Sequence, residues 1–86
     1  MSEPVSLNRL GLGARGTVRK ISGGREVASR LAALGMTVGA DIEVLQNSGH
    51  GPLLVRVRDT RVALGRGVAL KVLVEERKGG GSERQS

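Results

Sequence analysis

The chain has 86 residues, which suits a single small domain. It contains no cysteine, a single histidine and no aromatic residue. This composition excludes disulfide bonds, thiol nucleophiles and cysteine-ligated metal centres. It also removes the aromatic rings on which single-stranded nucleic acid stacks. Fourteen lysine and arginine residues against eight acidic ones give a formal net charge of +6, which favours an anionic partner.

The two ends of the chain differ from its middle in composition. The first residues, Met1–Pro4, lack the basic start and apolar stretch of a secretory signal, and no segment approaches the roughly 18–20 apolar residues that a membrane span needs. Residues 77–86 are rich in glycine and polar side chains, which is typical of disorder. We therefore expect a flexible N-terminus over residues 1–6, a folded domain over 7–76 and a disordered tail over 77–86, in a cytoplasmic protein without membrane insertion.

The first predicted element is a strand over Arg15–Ile21. Its alternation is imperfect because Val18 and Ile21 differ in parity, which predicts a β-bulge. The segment before it, residues 11–16, matches the G-x-G-x-x-G pattern of dinucleotide-binding loops, but that fingerprint follows a strand and opens a helix. Here the glycines lead into a strand, and we interpret them as residues that let a bent strand begin.

A helix is predicted over residues 25–34. Val27, Leu31 and Leu34 recur at positions i, i+4 and i+7 and form one apolar stripe. Gly35 follows directly, as expected for a C-terminal helix cap.

The next predicted strand carries Ile42 and Val44 on one face, with Asp41 and Glu43 on the other. Two carboxylates at this spacing can share acid–base work or bind a hard cation, but on a sheet with one wet face they more often form its polar side. The following loop, 47–52, holds the sole histidine, His50. We reject His50 as a metal ligand because no other ligating side chain is close to it in sequence.

A hairpin follows, with its turn predicted at Asp59–Thr60. In that register Val57 pairs with Val62 and Val55 with Leu64, so that the apolar faces of both strands coincide.

The same register places Arg56, Arg58 and Arg61 on the outer face, with Arg58 opposite Arg61. Facing like charges cost stability, so an acidic partner is one interpretation and relief by a nearby carboxylate or water is the other. Leu54 lies on the same face and favours a binding surface. Leu54, Arg56, Arg58 and Arg61 are therefore the candidate partner-binding residues.

The last predicted elements are a helical turn near residues 66–70 and a strand over Lys71–Glu75. The chain is thus expected to be mainly β, with about five antiparallel strands in a small, strongly bent barrel, one inserted helix and one short helical turn. No catalytic, cofactor-binding or metal-binding constellation is predicted.

The spacing of glycines and aliphatic residues over residues 7–75 resembles that of one known family. The first stretch reads Leu7-x-x-Leu10-x-x-Gly13-x-x-Gly16-x-Val18-x-x-Ile21, then Gly23-Gly24, then Arg30-Leu31-x-x-Leu34-Gly35-Met36-x-x-Gly39. The second reads Gly51-Pro52-Leu53-Leu54-Val55, then Thr60-Arg61-Val62-Ala63-Leu64-Gly65-Arg66, then Val72-x-Val74. Together they resemble the FeoA family (ferrous iron transport protein A), with Val38 where the family usually has proline.

The resemblance implies an SH3-like barrel with an inserted helix. It also implies a non-enzymatic cytosolic accessory of the membrane ferrous-iron permease, one that acts by binding the permease's cytoplasmic G-domain region and needs no cofactor. Two alternatives stay open: a basic SH3-like module that binds nucleic acid, which the absence of aromatic residues disfavours, and a regulatory domain related to iron-dependent repressors. The oligomeric state stays open as well.

Overall fold

Six short strands form one antiparallel sheet in the computed structural model, which describes residues 3–77. The strands are β1 (Val5–Ser6), β2 (Arg15–Ile21), β3 (Asp41–Gln46), β4 (Leu53–Val57), β5 (Thr60–Leu64) and β6 (Val72–Glu76). Their order in the sheet is β1-β6-β2-β3-β4-β5. A 3₁₀ turn covers Leu7–Arg9, and the helices are α1 (Gly24–Ala33) and α2 (Arg66–Ala69). The mainly β fold class with one inserted helix and a short helical turn is confirmed.

One face of the sheet packs against a single aliphatic core. Strand alternation sends every second side chain inward, and the strands are rich in β-branched residues, which pack well on a pleated surface. No polar or charged side chain of residues 3–77 is buried. The buried hydrophobic residues are Leu7, Leu10, Val18, Leu31, Met36, Ala40, Ile42, Val44, Leu53, Val55, Val57, Val62, Leu64, Ala69, Val72 and Val74.

Strand β2 is central and contains the predicted bulge. Its start pairs with β3 and its whole length pairs with β6, where the register shifts between Val18 and Lys20. The extra residue lets the fully buried Val18 and the partly buried Ile21 both face the interior despite their different parity.

Helix α1 ends in the glycine cap that the sequence indicates. Gly35 has a φ of 89°, a conformation that glycine adopts without the strain of a Cβ. Its N–H donates to the carbonyl of Ala32, and the N–H of Met36 donates to the carbonyl of Leu31, both at 2.9 Å. These two bonds define a Schellman motif. Met36 and Leu31 are both buried, so the cap also attaches the helix to the core.

The predicted hairpin register is wrong by two residues. Val57 pairs with Thr60 and Val55 with Val62, so the turn is Arg58–Asp59 instead of Asp59–Thr60. Arg58 adopts a φ of 57° there, which supplies the positive φ that a two-residue hairpin needs at its first turn position. A shift of two preserves side-chain parity, and the apolar faces of β4 and β5 still coincide.

Both domain boundaries lie further out than expected. Val5 and Ser6 form β1 and pair with Val74 and Leu73, so pairing begins inside the segment expected to be flexible. At the other end, the Arg77 N–H donates to a β2 carbonyl at 2.8 Å. The rest of the expected tail, residues 78–86, lies outside the described residues.

The close approach of β2 to β6 depends on Gly16. A Cβ at this position would lie 2.5 Å from Val74 Cγ1 and 2.7 Å from the Glu75 carbonyl oxygen, and the backbone oxygen cannot move without disturbing the ladder. We expect Gly16→Ala to lower the free energy of unfolding by about 1–3 kcal/mol, measured by chemical denaturation. Gly11→Ala is the matched control, because a Cβ at Gly11 meets nothing within 4 Å. Equal stability of the two variants would contradict this account.

Candidate functional site

A row of charged side chains crosses the outer face of the sheet. The register places Arg15 on β2 opposite Glu43 on β3, Glu43 opposite Arg56 on β4, and Arg56 opposite Arg61 on β5. Glu43 accepts a hydrogen bond from Arg56 Nη1 at 3.1 Å, and its other oxygen lies 4.0 Å from Arg15 Nε. One carboxylate therefore serves two arginines, and the predicted candidate Arg56 already has an acidic partner.

A second cluster lies beside this row and centres on Asp41. Thr17 Oγ1 donates to Asp41 Oδ1 at 3.1 Å, and Arg77 Nη2 donates to the same oxygen at 2.5 Å. The hydrogen bond and charge of Arg77, together with the Thr17 hydroxyl, lower the pKa of Asp41 below its ordinary value. Asp41 and Glu43 thus act in charge balance on the outer face, consistent with the polar-side interpretation.

An open groove of about 260 Å³ separates the two clusters. Its walls are Arg15, Asp41, Ile42, Glu43, Arg56, Arg58 and Arg77. Four guanidinium groups face two carboxylates, so the groove carries a surplus of positive charge. Arg15 and Arg77 were missed as members of this site. The only sequence signal is their charge, since a β2–β6 pairing is needed to bring Arg77 beside Asp41.

The prediction that Arg58 lies opposite Arg61 is wrong, because Arg56 takes that position. Arg58 occupies the β4–β5 turn, and its side chain extends towards the end of α1: a Cβ at Gly35 would lie 3.5 Å from Arg58 Cδ. No carboxylate of residues 3–77 forms an ion pair with Arg58 or Arg61. These two exposed side chains are the predicted candidates that keep an uncompensated charge.

Leu54 lies on the outer face as predicted, half-buried and opposite the exposed Ala63. The structure therefore brings Leu54, Arg56 and Arg61 together on one face and leaves Arg58 at its border. His50 is exposed in the loop between β3 and β4. Among the described residues, no three His, Cys, Asp or Glu side chains are grouped so that they could hold a metal ion.

Helices of the described part of the chain are too short or too polar to cross a bilayer.

The antiparallel sheet, the inserted helix and the short helical turn define a small β module with a charged outer face. Residues 5–76 match the FeoA domain, and the chain belongs to the FeoA family, a family of ferrous-iron transport accessories. A protein named Fe(2+) transport protein A from Methanocaldococcus jannaschii is 32% identical over 68 residues, which cover 79% of this chain and 82% of that protein.

Solved structures of family members have the same fold. The crystal structure of an iron uptake regulatory protein (FeoA) superposes with a TM-score of 0.83 at 36% identity, over 87% of this chain and 100% of that one. FeoA from Stenotrophomonas maltophilia, complexed with zinc and described as an SH3 domain protein, gives 0.70 at 29% identity, over 83% of this chain and 93% of that one. The predicted SH3-like architecture and the FeoA resemblance are confirmed.

A manganese-dependent transcriptional repressor also contains this fold. It superposes with a TM-score of 0.79 at 23% identity, over 90% of this chain and 44% of the repressor. At this identity the likeness shows the fold alone.

The low pKa of Asp41 makes its contribution to stability depend on pH. A carboxylate with a depressed folded-state pKa stabilises the fold above the pKa of the unfolded chain, and this stabilisation is lost as the pH falls through the folded-state pKa. We expect Asp41→Asn to be less stable than the unmodified protein at neutral pH, with the difference shrinking below about pH 4. Denaturation at a series of pH values measures this.

Arg77→Gln is the companion variant. It removes the largest cause of the shift, so NMR titration should find the pKa of Asp41 higher in this variant than in the unmodified protein. An unchanged pKa would show that Arg77 does not hold Asp41 in solution.

Proposed function

We propose that this protein is a non-enzymatic accessory of ferrous-iron uptake that acts in the cytoplasm by binding the cytoplasmic G-domain region of the membrane ferrous-iron permease. Membership of the FeoA family supports the link to ferrous-iron transport. The observation that carries the binding mode is the outer face around β5, where Arg61 shares a face with the half-buried Leu54, Arg58 lies at the border, and neither arginine has a carboxylate partner among residues 3–77.

The arginines of this face are expected to contribute unequally to the affinity for the permease region. Glu43 already neutralises Arg56, so Arg56 gains less from an incoming carboxylate. Arg58 and Arg61 have no such partner among residues 3–77, so carboxylates on the permease region would form ion pairs with them. Leu54 would supply apolar contact. Complementary charge of this kind speeds association and favours one partner over others.

A non-enzymatic role agrees with the way the polar groups are used. On the outer face of the described residues, the carboxylates Asp41 and Glu43 are held by arginines, and the sole histidine lies in an exposed loop away from them. General base catalysis needs a proton-accepting side chain positioned beside the reacting group. Glu43, placed between two arginines, and Asp41, bound by Arg77 and the Thr17 hydroxyl, suit structural charge balance better.

Charge reversal at the two unpaired arginines tests the contact face. We expect the double variant Arg58→Glu, Arg61→Glu to bind the purified cytoplasmic region of the permease at least about tenfold more weakly, with a flatter dependence on salt concentration, measured by calorimetry. The double variant Arg9→Glu, Arg25→Glu is the matched control, because it makes the same change in net charge at two exposed arginines that form no ion pair with the described residues. Full affinity in the Arg58→Glu, Arg61→Glu variant would remove this face from the proposal, and no binding by the unmodified protein would end the proposal itself.

Arg58→Gly separates binding from stability. Arg58 has a positive φ that glycine adopts more readily, so the free energy of unfolding should stay level or rise by up to about 1 kcal/mol. Affinity for the permease region should fall because a guanidinium is lost. A variant that unfolds more easily and binds normally would reverse both parts of this expectation.

The surplus of outer-face arginines also favours nucleic acid as a second candidate partner. Backbone binding to a duplex would show an affinity that falls steeply between about 50 and 200 mM salt. Titration with mixed-sequence duplex DNA and RNA measures this. Affinity at physiological salt that exceeds the affinity for the permease region would favour this alternative.

A further inference from the structure

An apolar groove lies between α1 and the last strand of the sheet, at the border of the arginine face. Its volume is about 180 Å³, close to the ~150 Å³ of an aliphatic cavity that holds one benzene. The groove therefore has room for one aliphatic side chain. Its apolar walls are Val27, Leu31 and Leu34 from α1, Ala63 and Leu64 from β5, and Val68 from α2.

The backbone of β5 borders this groove with one edge free. β5 is the last strand in the sheet order and pairs only with β4, and no other backbone hydrogen bond links it to the described residues. A two-residue turn is closed by a hydrogen-bonded pair, here Val57 and Thr60, and bonded and non-bonded pairs alternate from there. Arg61 and Ala63 fall on the non-bonded positions, so their N–H and C=O groups point away from β4.

The charge around the groove is positive. Arg30 forms part of its wall, and Arg58 reaches the end of α1 beside Leu34. Arg61 lies on the same face of β5 as Ala63. The nearby acid, Glu26, is 3.5 Å from Arg30 on the same helix. Arg30 thus already has an acidic partner, and carboxylates on an occupant would chiefly complement Arg58 and Arg61.

We propose that β5 accepts an extended acidic segment of a partner protein as an additional strand, with one aliphatic side chain of that segment inserted into the α1–β5 groove. Main-chain hydrogen bonds to Arg61 and Ala63 supply register, and the groove selects the side chain, as in other cases of strand addition. The inference rests on the proposed function for the source of the segment, which is the cytoplasmic region of the permease.

A second copy of this chain is a poorer occupant. Each copy carries a net charge of +6, and pairing of two β5 edges would bring a second set of arginines to the same rim. Like charges across a strand pair are destabilising.

Amide hydrogen exchange measures directly whether the outward amides of β5 are hydrogen-bonded. In the free protein the amides of Arg61 and Ala63 should exchange faster than that of Val62, which is bonded to β4. On addition of the permease's cytoplasmic region, the Arg61 and Ala63 amides should become protected by at least about tenfold while that of Val62 changes little. This measurement uses the unmodified protein and does not depend on a variant folding.

Two matched pairs of variants test the edge and the groove separately. Ala63→Pro removes an outward N–H and should weaken binding about tenfold, whereas Ala63→Ser keeps the N–H and should bind nearly as the unmodified protein does.

Leu34→Glu places an anion in the groove and should weaken binding, whereas Leu12→Glu makes the same change at a more exposed leucine outside the groove. Leu34 is 43% exposed and Leu12 75%, and thermal unfolding checks that each variant is folded.

The outcomes separate this inference from the proposed function. Binding of the permease region without protection of Arg61 and Ala63 overturns the groove inference and keeps the proposed function. If the permease region does not bind, the probe is the acetylated and amidated peptide Glu-Val-Glu-Leu-Glu-Val-Glu. The control is the same peptide with lysine in place of each glutamate. Protection by the acidic peptide alone supports strand addition with another partner, and protection by neither overturns both proposals. Protection that rises with concentration of this protein alone identifies a second copy as the occupant and overturns the acidic segment.

Discussion

An interior made only of aliphatic side chains is the constraint on which the rest of this structure depends. Without aromatic rings, no single residue can fill the space between the sheet and α1, so nearly every inward position must carry Val, Leu, Ile or Met. Protein interiors are close-packed, and no polar side chain of residues 3–77 is accommodated there. The charged side chains of residues 3–77 are therefore confined to the surface, on the outer face and edges of the sheet, on the helices and in the loops.

Two glycines connect that packing to the position of the charged outer face and of the β5 edge. Gly16 allows β6 to approach β2 closely enough to cover the core, and this pairing carries Arg77 to Asp41. Gly35 ends α1 sharply and places its last turn beside the β4–β5 turn, where Arg58 lies. The helix, the turn and the free edge of β5 meet at one end of the molecule as a result.

The outer face is divided into a neutralised part and an uncompensated part. Asp41 and Glu43 engage Arg15 on β2, Arg56 on β4 and Arg77 after β6, and no carboxylate of residues 3–77 pairs with Arg58 or Arg61. Arg61 lies on β5 two residues before Ala63, a wall of the apolar groove, and Arg58 lies in the turn before β5 and reaches the end of α1; the outer edge of β5 pairs with no other strand of residues 3–77. Unpaired charge, free backbone donors and an apolar pocket thus form one continuous surface, which is the combination that strand addition by an acidic segment needs.

The sequence alone determined the elements whose signal is local: the strand at Arg15–Ile21 with its bulge, the helix with its Gly35 cap, and the inward parity of β4 and β5. It misplaced the hairpin register, because a shift of two residues preserves parity and only the turn geometry at Arg58 distinguishes the alternatives. It also missed β1 and the Arg77–Asp41 pair. A two-residue strand has too few positions to show a period, and an ion pair between residues far apart in the chain exists only once the tertiary structure has brought their strands together.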